Sequence, residues 1–219
     1  MECVNQVYEF RVLGGDPFMN KELHKVIDHL VSYDKVQKIA VYTNARFVPS
    51  GENLSCLKNN KVVVDISNYG LLDPKKKVVD KMIETLKKEN IRYSVALVNN
   101  WQDCGRITPF QKRTEKELHR VFNNCCNSDI LSLLHGKLYR CPFSANATNL
   151  KAIPYDKTDI VDLFDENVPI KDLKLKIKEL TYDKKSLTAC NFCNGRDYQT
   201  PKIDAAIQAP RPMPLESKQ

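Results

Sequence analysis

The stretch Tyr8-Glu9-Phe10-Arg11-Val12-Leu13-Gly14-Gly15-Asp16-Pro17-Phe18 runs from an alternating segment into two glycines, an acid and a proline. Tyr8, Phe10 and Val12 fall on one side and Glu9 and Arg11 on the other, the period-two pattern of a β-strand. The glycines open backbone angles closed to other residues and let a ligand approach the main chain. Asp16 stands just past the strand end, where parallel α/β folds gather ligand-contacting groups. Gly-Gly-Asp-Pro is also good turn chemistry, so the meaning of the stretch depends on the segments downstream of it.

Those segments alternate between helix and strand patterns. Asn20 is a good helix N-cap, and Leu23, Val26, Ile27, Leu30 and Val31 recur on one helical face. Ile39 to Thr43 reads as a short buried strand ending in Thr43-Asn44, and Leu54 to Leu57 as a helical turn. Val62-Val63-Val64-Asp65-Ile66 is the clearest strand; its β-branched run suits a parallel strand covered on both faces, and it ends in Ser67-Asn68. Asp73-Pro74 pairs a cap with a first-turn proline, and Val79, Met82, Ile83 and Leu86 form the stripe of the helix they open. Ile91 to Val98 is a fourth strand, ending in Asn99-Asn100. Helical crossovers between short hydrophobic strands predict a parallel sheet. Gly14-Gly15-Asp16, Thr43-Asn44, Ser67-Asn68 and Asn99-Asn100 then share the sheet edge where ligands bind.

Beyond Gln102 the texture changes. A helix is expected over Arg113 to Asn123, with Leu118, Val121 and Phe122 inward. A strand or helix start is expected over Asp159 to Leu163. Ile170 to Leu180 should form an amphipathic helix using Leu173, Ile177 and Leu180, with Leu175 off the stripe. The division read from these patterns is 1–110, 111–205 and a disordered tail 206–219.

The 219 residues, 42% hydrophobic and 28% charged, describe an ordinary globular chain with no transmembrane-length apolar run. Met1-Glu2-Cys3-Val4-Asn5 has neither the basic segment nor the apolar core of a signal peptide, so a cytoplasmic location is expected. The net charge of +7 comes with lysine runs at 75–77 and between Lys171 and Lys185. These lack interleaved aromatics and read as solvated helix faces, which argues against a nucleic-acid partner.

Eight cysteines in such a chain point to metal or redox chemistry rather than disulfides. Cys190-Asn191-Phe192-Cys193 has the spacing that lets two thiolates reach one metal centre. With Cys126 and Cys141 upstream, a four-thiolate site is expected at Cys126, Cys141, Cys190 and Cys193. Cys125 is an alternative to Cys126, and Cys104 is a spare. Zinc and an iron–sulfur cluster are not distinguished by donor softness. Cys3 and Cys56 lack partners at metal spacing and read as packed thiols.

Taken together, these residues resemble the radical S-adenosylmethionine (radical SAM) enzymes. Gly14-Gly15-Asp16-Pro17 resembles the family's Gly-Gly-Glu-Pro motif, which implies that Gly14, Gly15 and Asp16 hold the amino group of the cofactor's methionine moiety. Tyr42-Thr43-Asn44 resembles the next strand end, with Ala45 where glycine is common, and Ser67 resembles the ribose-contacting position. Cys126-x9-Gly136-x4-Cys141 followed by Cys190 and Cys193 resembles the auxiliary-cluster extensions called SPASM and twitch domains, the single-cluster twitch type being closer. The resemblance implies a partial TIM-type (β/α) barrel missing its first strand–helix unit, with a small cysteine-rich C-terminal extension. It also implies an auxiliary 4Fe-4S cluster, S-adenosylmethionine as cofactor, and a peptide or small-molecule substrate.

The family binds its catalytic cluster through a CxxxCxxC segment upstream of the Gly-Gly motif. None occurs in this chain, where Cys3 is the one cysteine before Tyr8. The expectation is therefore a fragment of a longer protein, with a split-gene half completed by a separately encoded N-terminal segment and a truncated, inactive descendant as the alternatives; none of them acts alone as this chain. The competing expectation is a non-catalytic α/β binding or accessory protein stabilised by zinc or a cluster. An edge strand left open at Tyr8–Val12 should favour association.

Overall fold

The four strands of the parallel sheet are laid down in chain order. In this computed structural model, which describes residues 2–70, 77–104 and 106–205, β1 (Val7–Val12), β2 (Val36–Thr43), β3 (Val62–Asn68) and β4 (Tyr93–Leu97) pair 1-2-3-4, every pair parallel. Parallel crossovers to the adjacent strand, repeated in one direction and with one hand, bring their connecting segments to the same face. α1 (Leu23–Val31) and α3 (Lys77–Lys88) accordingly bury Leu23, Ile27, Val79, Met82 and Leu86 in one core with Ile39, Val41, Val62, Val64 and Ile66 of the sheet.

This corrects the expectation that β3 is covered on both faces. Val62, Val64 and Ile66 are buried while Val63 and Asp65 between them are half-buried. The face away from the helices carries a charged row. Arg11 and Lys38 both donate to Glu9, at 2.5 and 2.6 Å, and the Arg11 guanidinium lies 5.8 Å from the Tyr42 ring centroid. Ser94 donates to Asp65 at 2.5 Å on the adjacent strands. Period-two alternation from Glu9 to Arg11 and from Lys38 to Tyr42 sends these groups to the face opposite the core.

Local details depart from the sequence pattern where short-range bonds compete. Asn20 does not cap α1. Its side chain accepts the Glu22 N–H at 2.9 Å, and it closes a 3-10 turn, Pro17–Met19, so that α1 starts at Leu23. The turn at Leu54 is a short helix α2 (Glu52–Ser55) running into a 3-10 turn, Cys56–Lys58, that buries Leu57. β4 is shorter than the segment 91–98, and Val95 and Leu97 are exposed. The expected helix start at Asp73-Pro74 and the expected tail at 206–219 lie outside the described residues.

The chain divides into two compact units, Met1–Asn100 and Trp101–Gln219. The boundary falls before the expected 110 because β5 (Trp101–Gln102) pairs antiparallel with β9 (Lys202–Ile203). In this second unit α4 (Glu115–Asn123) begins at a capping box in which the Thr114 side chain accepts the Glu117 N–H while Glu117 accepts from Thr114 N–H. β6 (Ser132–Leu134), β7 (Lys137–Tyr139) and β8 (Ile160–Asp162) form an antiparallel sheet. α5 spans Pro142–Asn149, and α6 (Ile170–Lys178) ends in a π-turn, Glu179–Asp183. α6 buries Ile177, the π-turn buries Leu180, and Leu175 is half exposed, as its position off the stripe requires. Among the described residues no helix is long and apolar enough to cross a membrane.

Met82 is fully buried, and Met82→Ala should cost about 2–4 kcal/mol through lost burial and the cavity left behind. Leu175→Ala should cost less than about 0.5 kcal/mol. Urea unfolding followed by circular dichroism checks both. The Glu9 carboxyl is held below its usual range by hydrogen bonds from Lys38 and Arg11. A depressed carboxylate contributes stability above the ordinary carboxylate range and loses it as pH falls through the folded value. Glu9→Gln should therefore be less stable than wild type at neutral pH, with the gap closing in strong acid. An equal gap at both extremes would contradict the assignment.

Candidate functional site

Two places gather the residues singled out in the sequence, one in each unit. In the first, the parallel pairing sets the carboxyl ends of β1 to β4 on one edge. Asp16 is buried there and both carboxylate oxygens are engaged: one accepts the Phe18 N–H at 3.0 Å, the other the Thr43 hydroxyl at 2.7 Å. Thr43 Oγ1 in turn accepts the Ala45 N–H at 2.9 Å. This relay stitches the ends of β1 and β2 together, a role the sequence pattern does not reveal. Asn44 and Asn68 each accept a backbone N–H two residues on, from Arg46 and Gly70, and cap their own turns. Ser67 is half-buried within β3, and Asn99 and Asn100 are exposed.

Gly14 and Gly15 are not required by crowding. A Cβ at either would meet nothing within 4 Å, and neither adopts a left-handed backbone. Ala45 is the reverse case: it is fully buried with φ 62°, in the region that favours glycine.

In the second unit a cavity of about 430 Å³ is walled by thiols and apolar groups. Cys104, Cys125, Cys141, Cys190 and Cys193 all line it, with Phe122, Leu187 and Val121 among the rest. Of the four predicted ligands the structure brings three to this cavity. Cys126 is exposed and does not line it; its neighbour Cys125 does. The turn after α4 decides between them. Asn124 caps the helix, and the Cys125 N–H bonds back to Phe122 O at 3.2 Å, whereas the Cys126 N–H reaches Arg196 O at 2.7 Å.

Each remaining thiol is set by a local device. The hairpin between β6 and β7 turns on His135 and Gly136, both with positive φ (48° and 73°), the geometry of a two-residue I′ turn. A Cβ on Gly136 would collide with the Phe164 ring. β7 then leads through Arg140 to Cys141, whose sulfur caps α5 by accepting the Ser144 N–H at 3.2 Å. Cys190 lies on a 3-10 turn, Thr188–Phe192, and Cys193 is the extended residue that ends it. Arg113 clamps this loop by donating to the carbonyls of Cys190 and Cys193, the latter at 2.9 Å. Buried Asp159 accepts the Ala189 N–H at 3.3 Å and pairs with Lys184 at 3.0 Å. Gly195 N–H donates to the Cys193 sulfur at 3.3 Å.

Burial pushes the Cys141 thiol up to about 11 and the Cys190 thiol up to about 12, and neighbouring thiols add to both. Burial likewise raises the Cys104 thiol. Among the described residues no three His, Cys, Asp or Glu side chains converge on a point close enough to chelate a single ion. The five thiols stand around the cavity wall instead. Cys56 packs against the core of the first unit, with its thiol pushed up to about 11 by burial, in line with a packing role.

No protein-family model matches this chain, and no curated protein is significantly similar to it.

Brief alkylation with iodoacetamide at mildly alkaline pH should modify exposed Cys126 first and Cys141 and Cys190 last, since only the thiolate reacts. Peptide mapping by mass spectrometry reads the order. Equal labelling of Cys126 and Cys190 would contradict the described burial.

Proposed function

We propose that this chain is an iron–sulfur protein of the radical SAM type, whose second unit holds an auxiliary 4Fe-4S cluster. The observation that carries the reading is the arrangement of Cys125, Cys141, Cys190 and Cys193 around one cavity, with Cys104 as a fifth thiol. Soft thiolates suit iron–sulfur clusters. Thiols spread over the wall of a cavity of about 430 Å³ suit a group of several atoms better than one tetrahedral ion, whose ligands must meet at about 2.3 Å from a common centre. Cys125 takes the place that spacing alone gives to Cys126. When bound, such a cluster supplies a site for one-electron transfer.

The chain's own residues prepare the site. N–H groups of Ser144 and Gly195 point at two sulfurs and favour their thiolate forms. Arg113 fixes the CxxC loop through two carbonyls. Gly136 fixes the hairpin that delivers Cys141, which gives the Gly-x4-Cys part of the spacing a physical meaning.

Support for the rest of the reading lies in the first unit. Sequential parallel strand order with helices on one face suits a partial TIM-type barrel, whose ligands meet the carboxyl ends of the strands. The proposed S-adenosylmethionine cradle is the edge formed by Gly14, Gly15, Asp16, Thr43, Asn44 and Ser67. Open space at Gly14 and Gly15 suits close approach of a ligand to the main chain, and Ala45 holds the left-handed backbone expected of the glycine common in the family. Because the Asp16 carboxylate is engaged by Phe18 and Thr43, we assign cofactor contact chiefly to the Gly14-Gly15 backbone, with Asp16 shaping the loop. These residues contain no CxxxCxxC, so radical chemistry on a peptide or small molecule is proposed only for an assembly that supplies one.

Anaerobic reconstitution with iron and sulfide, with metal and sulfide analysis and EPR after reduction, tests the reading. The expected outcome is about four iron and four sulfide per chain, lost in Cys125→Ala, Cys141→Ala, Cys190→Ala and Cys193→Ala and retained in Cys126→Ala. Stoichiometric zinc without sulfide would overturn it in favour of a zinc-stabilised binding or accessory protein.

A further inference from the structure

Arg140 is a buried cation for which the fold provides little compensation. It is 6% exposed, and among the described residues its Nε and Nη1 have no hydrogen-bond partner. Asp129 lies 3.9 Å from Nη2 and is itself 99% exposed, so its charge is largely screened. The guanidinium also sits 5.7 Å from the centroid of the Phe122 ring, a contact that offsets only part of the cost of desolvating a charge. A guanidinium has five N–H donors and does not lose its proton in proteins, so burial without acceptors is a standing penalty. Arg140 does not itself line the thiol cavity, where the lining cation is Arg196, but it immediately precedes Cys141 and sits over Phe122, both of which do.

We propose that Arg140 is the resident counter-charge for an anionic, thiolate-ligated group held in that cavity. The inference rests on the reading of the cavity as a cluster site. Four thiolates around a cluster, or around zinc, leave a net negative charge in a low-dielectric setting. A fixed cation beside one ligand stabilises that charge, and more so after an electron is added. Arg140 is in this sense a positioning and tuning residue, not a ligand.

The full-length chain and its Arg140→Met and Arg140→Lys variants provide the test, in apo form and after anaerobic loading with iron and sulfide. Without a bound anion, Arg140→Met removes an uncompensated charge, so the melting temperature of the apo chain should rise by roughly 2 °C or more. After loading, the same variant should hold its cluster about tenfold less tightly and show a more negative reduction potential in an EPR-monitored titration. Arg140→Lys should restore much of the potential. A fall in apo melting temperature together with normal loading and an unchanged potential in Arg140→Met would overturn the inference alone, leaving the cluster site intact. A wild-type chain that takes up neither iron and sulfide nor zinc would overturn both the cluster reading and this inference.

Discussion

The handedness of parallel crossovers governs the first unit. Once β1 to β4 are laid down in order, a single hand of connection leaves α1 and α3 on the same face of the sheet. That asymmetry explains why Val62, Val64 and Ile66 are buried while the intervening positions are not, and why Glu9, Arg11, Lys38, Tyr42 and Asp65 are tolerated in the middle of a parallel sheet. The parallel pairing itself aligns all four strand ends on one edge. Asp16 and Thr43 fasten the first two of those ends with a buried hydrogen bond.

The second unit follows a different rule. Its regular elements are short, and its order depends on fixed turns: the His135-Gly136 hairpin, the Cys141 cap of α5 and the clamped 3-10 turn at the CxxC. Each device places a sulfur, and together they place several around one apolar cavity. The cost is that thiols buried this way resist ionisation on their own.

The two units also differ in how they read from the residues alone. In the first, periodicity is local and strong. The alternation at Tyr8 to Val12, the stripe through Ile27 and Leu30, and the stripe through Met82 and Leu86 each span one element, so they survive translation into structure. In the second, β6, β7 and α5 are too short for a hydrophobic period, and the signals that mark them are single residues such as Gly136 at a positive φ and Pro142 at a helix start.

By itself the sequence determined the element types of the first unit, its parallel strand set with polar ends, and a thiol-rich region built on a CxxC, because these depend on spacing within a few residues. The tertiary structure alone decided that β3 is buried on one face and half-buried on the other, that Asp16 is engaged by Phe18 and Thr43, and that Arg140 Nε and Nη1 are buried with no hydrogen-bond partner among the described residues. It alone turned Cys125 rather than Cys126 toward the cavity. Adjacent cysteines look alike to any local rule. Which one points inward is set by the turn after α4 and by a backbone bond to Arg196, far along the chain.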